Sequence, residues 1–505
     1  MSRYTIGVDI GTTGIKTVLL DTTAAGRASN TTAGIVATAN RENTLYSPGP
    51  GFAEADPAQW YRNVVESIRE VLAVSGVAPD QIGALATSGM VPAVVAVDQT
   101  GKPLRRAILQ NDARAHREVA GLAAKLASVD LVTLTGSALT QQSVAPTTVW
   151  LRDHEPGVYA RTAHWIGSYD WVLSALGAPI HVEQNWALES GLFEIDGDVA
   201  TDVVQAAALE PVTLAPVRRP GTQVGELSRR AADETGLRAG TALVVGGADH
   251  VLSAYAAGVN DPGDALVKLG GAGDILVASD TQVVDERLYL DAHPIPGHWL
   301  PNGCMATSGS LIRWFQALIG GPEAVELTTL DDEAALRSPA EVLCLPYFLG
   351  EKSPIHDPDL RGVFAGMHLG HTRADMYRSV LEAIAFGFRH HVDVFAEIGI
   401  PLRRVMITNG GSKSTLWKQI HADVLGQEMH PVRGHPGASL GAAVIAAIGV
   451  GALADWSDAA RFITLDDPYI PDPARRDIYD QAYATWRELS SAMTPISHAI
   501  ARTTR

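Results

Sequence analysis

A glycine turn between two apolar strands opens this chain, and a similar turn returns near its middle. Asp9-Ile10-Gly11-Thr12-Thr13-Gly14 lies between the apolar runs 5–8 and 17–20; Lys268-Leu269-Gly270-Gly271-Ala272-Gly273 lies between 265–267 and 275–278. Glycine tolerates positive φ and close backbone approach, so a hairpin of this kind can aim its N–H groups at phosphate oxygens. Two such hairpins, one near the start of each half, predict a clamp on one polyphosphate. Asp9 has no acidic counterpart in the second copy, where Lys268 stands. That asymmetry fits a site with one metal-facing wall.

At 505 residues the chain is longer than single cores usually grow, so two domains are expected. The formal net charge of −17 argues against nucleic acid or an anionic membrane as partner. It leaves room for an anionic substrate, because a local glycine nest or a metal can outweigh the global field. Two cysteines, Cys304 and Cys344, are too few for a disulfide framework and fit a reducing compartment. A strand begins almost at once, with no basic-then-apolar leader, so a cytoplasmic protein is expected. The longest apolar stretch, 440–454, is rich in Ala and Gly and too short to span a bilayer; it predicts a buried helix packed closely on a sheet.

Strands alternate with helices through the first half: a helix over 57–74, a strand over 82–87 ending in Ser88-Gly89, a strand over 94–97, and helices over 114–127, around 149–153 and over 168–176. This is the pattern of an α/β domain. A short strand at 243–245 runs into Gly246-Gly247-Ala248-Asp249-His250 and a small-residue helix over 251–257, and the domain boundary is placed here: 1–246 and 247–505. Later, 404–408 reads as a strand, Asn409-Gly410-Gly411-Ser412 as a turn and 414–425 as a helix.

Asp249 follows two glycines and opens a helix, where its carboxylate can accept a hydroxyl proton as the oxygen attacks phosphorus. Asp is equally a favoured helix cap, and the two roles can coexist. Gly410 and Gly411 would let a flat ring slide over bare backbone beside a helix N-terminus, although plain turn chemistry explains them as well. Thr12, Thr13 and Lys16 can add hydroxyl and ammonium contacts to phosphates, a surface position being the commoner fate of a lysine. HExxH, paired CxxC, GxSxG and GxxxxGK[ST] are all absent, so zinc hydrolysis, serine esterase and P-loop chemistry lack their usual carriers.

The residues now in view resemble the FGGY carbohydrate kinases, of the actin, hexokinase and Hsp70-like ATPase superfamily. GVFAGMHLGHTRADMYRSVLE, Gly362 to Glu382, matches the family's second signature; LPYFLGEKSPIHDPDLRG, Leu345 to Gly362, looks like the corresponding xylulokinase segment. APTTVWLRDHEP, Ala145 to Pro156, carries the first signature in part, with Thr147 where many members have lysine. The resemblance implies an α/β protein of two RNase H-like (actin/hexokinase-type ATPase) domains with a cleft between them. It implies ATP and Mg²⁺, with Asp9 toward the metal and Gly11, Thr12, Thr13 and Lys16 toward phosphate. Gly270, Gly271 and Gly273 inherit the second phosphate motif, Gly410, Gly411 and Ser412 (with Trp417) the adenosine motif, and Asp249 the role of base. Homodimers recur in the family, so a homodimer is the expected assembly.

Xylulokinases commonly read SGQMHG where this chain has Ser88-Gly89-Met90-Val91-Pro92-Ala93, and ILWNDGR where it has Ile108-Leu109-Gln110-Asn111-Asp112-Ala113-Arg114. His250 stands where they tend to have asparagine. Met90, Gln110, Asn111, Asp112, Arg114, Asp249 and His250 are the candidate acceptor residues. The expected activity is ATP-dependent phosphorylation of a sugar or polyol hydroxyl, foremost of a ketopentose such as xylulose. Ribulose, glycerol, erythritol or gluconate are alternative acceptors, and an actin- or Hsp70-like ATPase switch is the alternative class.

Overall fold

The computed structural model describes residues 3–24, 34–408 and 410–503. Contacts divide the chain into two compact units: residues up to Asn260 with 290–300 and 436–464, and 261–289 with 301–435 and 465 onward.

The first unit is built on a six-stranded sheet. Tyr4–Ile10 and Gly14–Asp21 form the opening antiparallel hairpin, and Ile35–Glu42 extends it at one edge. On the other side Ile82–Gly89 runs parallel to the first strand, and Ala242–Ala248 runs parallel to Ile82–Gly89. Gln223–Glu226 closes the far edge. These central strands are apolar on both faces because helices cover them. One cover is Pro57–Ser75, started by the Asp56 side chain accepting from the Ala58 N–H and ended by Gly76 in the left-handed region.

The other cover comes from far along the chain. Helix Ala438–Gly449, within the stretch read as a small-residue buried helix, lies on the first strand and beside helix Asp249–Ala257. The approach is so close that a Cβ on Gly7 would stand 2.0 Å from the Ser439 carbonyl oxygen and 2.4 Å from the Ala443 nitrogen.

The second unit repeats the plan. Asp264–Leu269 and Gly273–Val277 make the second hairpin, Trp299–Met305 pairs antiparallel with Gly273–Val277, and Arg404–Thr408 then Met429–Pro431 add in parallel on the other side. In both units the order is third, second, first, fourth, fifth, with the same parallel and antiparallel senses. Both are RNase H-like α/β domains. The recurrence of the glycine hairpin was the trace of this repeat in the sequence.

The motif segments turn out to be largely scaffold. Thr372 and Asp375 form a capping box at the head of the long helix Arg373–Glu397. One turn on, Arg378 donates to Glu382 at 2.8 Å, both side chains almost wholly buried. Glu382 also accepts from the Ala340 N–H and the Tyr479 hydroxyl, so this buried charge is fully bonded rather than stranded. Glu351 accepts from the N–H groups of Ala306 and Lys352, pinning the chain just beyond Trp299–Met305.

Candidate active site

Three adjacent parallel strands of the first sheet end side by side, and the candidate residues stand at those ends. The register sets Asp9 opposite Ser88 and Ile10 opposite Gly89, while Gly247 lies opposite Ser88 and Ala248 opposite Gly89. Asp9, Ser88-Gly89-Met90 and Asp249 therefore share the carboxyl edge of one sheet, where α/β folds bind ligands. Residues that the sequence separates by up to 240 positions are brought together by pairing alone.

Asp249 occupies the first helical position; the cap is Ala248, which makes no side-chain capping bond. The capping role weighed for Asp249 thus falls to backbone geometry, and its carboxylate is partly exposed, at 34%. His250 sits against it, Nδ1 3.5 Å from Asp249 Oδ1, and its Nε2 donates to Asp291 Oδ2 at 2.6 Å.

At the first hairpin the Gly11 N–H donates across the turn to the Gly14 carbonyl. Asn43 ties back the turn's other carbonyls, its Nδ2 donating to Gly11 O at 2.9 Å and its N–H to Thr13 O at 2.9 Å. Asn43 carried no motif signal; it matters through position alone. Lys16 lies directly opposite Asp9 across the hairpin, and burial pulls its ammonium below the usual lysine range, partly offset by the Asp9 carboxylate. The second hairpin inverts the pair: Lys268 faces Asp274 at 3.4 Å, with the carboxylate now on the returning strand.

Among the acceptor candidates, Gln110 and Met90 meet the first hairpin. Gln110 Nε2 donates to Thr12 Oγ1 at 3.0 Å, and Thr12 Oγ1 lies 3.9 Å from Met90 Sδ. Gln110 Oε1 is buried without a hydrogen-bond partner among the described residues, and Gln142, which the sequence did not single out, holds the Gln110 carbonyl. Asn111 is exposed. Asp112 and Arg114 are packed away from solvent and committed to one another by two bonds of 2.8 Å, with Arg114 also donating to Glu54. The Arg114 guanidinium lies over Phe52 and Trp150, the latter from the first-signature helix. This pair shapes the loop that carries Gln110 and Asn111.

In the second unit a cavity of about 700 Å³ gathers the other candidates. Gly270 and Gly271 from the hairpin, Gly410 and Gly411 from the later turn, and Trp417 all line it. A Cβ on Gly271 or Gly410 would meet nothing within 4 Å, whereas one on Gly411 would strike the Trp417 ring at 2.1 Å. Gly411 is bare so that Trp417 can pack; Gly410 and Gly271 leave open room. Gly273 is outside the lining and packs against Phe388. Asn409 and the Ser412 side chain lie outside the described residues.

The sequence reading missed the helix Gly309–Leu318. N–H groups of Ser308, Gly309 and Ser310 donate to the carbonyls of Gly270 and Gly271, repeating what Asn43 does at the first turn. Thr307-Ser308-Gly309-Ser310, a small-residue turn before an apolar helix, was the available signal. Asp331 and Tyr377, bonded at 3.0 Å, also line this cavity, and Tyr377 belongs to the second signature.

Behind the first sheet's carboxyl edge lies a buried acid, Glu183, which accepts from the Tyr169 hydroxyl at 2.9 Å. Burial pushes its carboxyl up to about 8 from the ordinary 4.5. The folded protein therefore binds this proton more tightly than the unfolded chain, and the stability it contributes is full below pH 4.5 and lost as pH rises through 8. Thermal melts from pH 5 to 9 should show Tm falling with pH, and the fall should be shallower in Glu183→Gln. An identical slope in that variant would show that Glu183 does not carry it.

Two RNase H-like domains, with glycine hairpins at the first turn of each sheet and a carboxylate at the strand ends, fit an ATP-dependent phosphotransferase. The comparisons name the family. The N-terminal domain of the FGGY family of carbohydrate kinases matches residues 4–256, and its C-terminal domain matches 271–450. The chain is similar to the xylulose kinase of Staphylococcus epidermidis, 26% identical over 97% of each chain. It is likewise similar to that of Bacillus subtilis, 26% identical over 97% of this chain and 99% of the relative. The crystal structure of xylulose kinase from Rhodospirillum rubrum is 40% identical, with a TM-score of 0.90 over 98% of this chain and 100% of that one. The chain belongs to the FGGY family of carbohydrate kinases. It is a carbohydrate kinase that uses ATP as phosphoryl donor. Among the described residues no helix is long and apolar enough to cross a membrane.

Proposed function

We propose that this kinase phosphorylates a neutral ketopentose, xylulose first among them, on a hydroxyl held beside Asp249. The observation that carries the reading is the row formed by Asp9, Ser88-Gly89-Met90 and Asp249 along one sheet edge, with the orphaned Gln110 Oε1 nearby in sequence to the pocket loop. A buried acceptor atom without a partner is costly unless a ligand satisfies it, and an acceptor hydroxyl would do so. The relatives named xylulose kinase support the sugar. Charge supports a neutral acceptor: Asp249 and Asp291 flank a single imidazole, His250, so a sugar acid such as gluconate would meet net negative charge.

In this reading Asp249 Oδ1 faces His250, and the Asp249 carboxylate takes the proton of the attacking hydroxyl. The amide edges of both glycine hairpins hold phosphate oxygens, and Lys16 adds positive charge. The cavity of the second unit takes the nucleoside, with Gly410 beneath the ring and Ser412 at the turn. Asp9, a hard oxygen donor near the end of the first strand, just before the glycine turn, fits Mg²⁺, which habitually takes one or two carboxylates plus phosphate oxygens and water. Mg²⁺, when bound, supplies neutralising charge for the transferring phosphoryl group.

By chain order, residues 1–246 contribute the acceptor loop and first hairpin, and residues 247–505 the second hairpin and nucleoside cavity; Asp249 falls in 247–505 by number but stands on the sheet edge of the first unit, which runs to Asn260. A reducing cytoplasmic setting suits Cys304 and Cys344, both free and both with thiols pushed up by burial. A homodimer is part of the same proposal.

A coupled assay of ADP release over pentuloses, polyols and sugar acids tests the reading. Xylulose should show a kcat/KM at least about tenfold above every other acceptor, a margin that a hydrogen-bonding pocket readily supplies. A higher value for glycerol, ribulose, erythritol or gluconate overturns the sugar assignment, and ADP release independent of any acceptor overturns the kinase reading of the site.

A further inference from the structure

Residues 290–300 belong to the first unit although the chain on either side belongs to the second. Specific bonds lock this excursion down. Asn185, fully buried, takes both backbone groups of Ala292: its Oδ1 accepts from the Ala292 N–H at 2.7 Å and its Nδ2 donates to the Ala292 carbonyl at 3.0 Å. His293 Nε2 donates to the Val259 carbonyl at 2.7 Å, just past the helix that Asp249 opens. Between these anchors stands Asp291, 3% exposed, and its Oδ2 accepts from His250 Nε2 at 2.6 Å.

From this geometry we infer that Asp291 and His250 form a positioning pair for Asp249, in which a buried carboxylate fixes the imidazole and the imidazole fixes the base. The inference rests on the proposed role of Asp249. A ring bonded through Nε2 to a rigidly held carboxylate cannot rotate freely, so Nδ1 is presented to Asp249 Oδ1 at 3.5 Å. That contact fixes the orientation of the carboxylate that the acceptor hydroxyl would meet.

It also sets the charge. Three carboxylates face the ring: Asp249 from its own helix, Glu189 from the helix Gln184–Ser190 at 3.8 Å, and Asp291 from the anchored excursion. Burial works against the charged ring, but Asp291, Asp249 and Glu189 together hold the imidazole well above its usual range. Burial and Asp291 push the Glu189 carboxyl up in turn, and Glu183 behind it adds to the same effect. The imidazolium beside Asp249 favours its ionised, proton-accepting form. Asparagine, which the resembling xylulokinases tend to carry here, could orient the base but could not supply this charge.

Two variants decide the matter, His250→Gln and Asp291→Asn, each preserving hydrogen-bonding shape. With saturating ATP, the acidic limb of kcat/KM for the acceptor should move up by about one pH unit in His250→Gln, because the positive charge that favours ionised Asp249 is gone. Near neutral pH, kcat should fall about tenfold while KM for ATP stays as it was. A role in packing alone would lower Tm and leave the limb in place. If kcat near neutral pH is unchanged in a folded Asp291→Asn protein, the proposal is overturned, whether or not His250→Gln folds. Nitrogen-15 NMR of the imidazole gives a readout independent of turnover. His250 should titrate above the ordinary imidazole value of about 6.5 in the wild type and lower in Asp291→Asn than in the wild type. Ordinary titration in the wild type overturns the pair even if no acceptor supports turnover, an outcome that would itself count against the proposed function.

Discussion

Asp249→Asn is expected to reduce kcat about a thousandfold, within the range a positioned general base supplies, with little change in KM for ATP. The substitution keeps the shape of the side chain and removes its capacity to take a proton. It should not disturb folding: Asp249 is partly exposed, and the cap of its helix is the Ala248 backbone. Steady-state turnover with the true acceptor, alongside a thermal melt, separates the two effects. Turnover near wild type at unchanged Tm would remove Asp249 from the chemistry, and with it the reading of the strand-end row as a catalytic edge. A loss confined to KM for the acceptor would instead make Asp249 a binding residue.

The second large effect concerns stability. Gly7→Ala adds a single methyl group, yet that methyl would stand 2.0 Å from the Ser439 carbonyl oxygen and 2.4 Å from the Ala443 nitrogen. Both are backbone atoms of a helix that cannot rotate out of the way. Relief requires the helix Ala438–Gly449 to lift from the first strand, and we expect a loss of about 3 kcal/mol, the upper end for overpacking a tight core. Tm should drop by several degrees, and activity measured well below the transition should fall as well, because Asp9 lies two residues further along the same strand. A Gly7→Ala protein melting with the wild type would show that this helix does not seat as closely as described.

The two glycine turns, with their apolar flanks, were legible because glycine positions and strand periodicity are local signals. So were helix 168–176 and strand 404–408, whose limits the structure reproduces. Asn43, Gln142 and Asn185 were not legible, since each acts through a bond to backbone distant in sequence, and an isolated amide residue carries no pattern. Arg114 shows the reverse case. A charged residue beside the pocket motif reads as a ligand, but the structure surrounds it with Glu54, Asp112, Phe52 and Trp150, leaving its side chain 1% exposed.

Local chemistry thus determined the repeated strand-turn-strand units, the family signatures and the identity of the acids at the two key turns, because turn formation and periodic burial depend on near neighbours. Tertiary structure alone decided that Asp9 and Asp249 share one sheet edge, that residues 436–464 close the first unit, and that Asp291 reaches His250. Strand pairing and helix docking join positions hundreds of residues apart, and the free energy that selects those partners resides in buried surfaces that no short window of sequence contains.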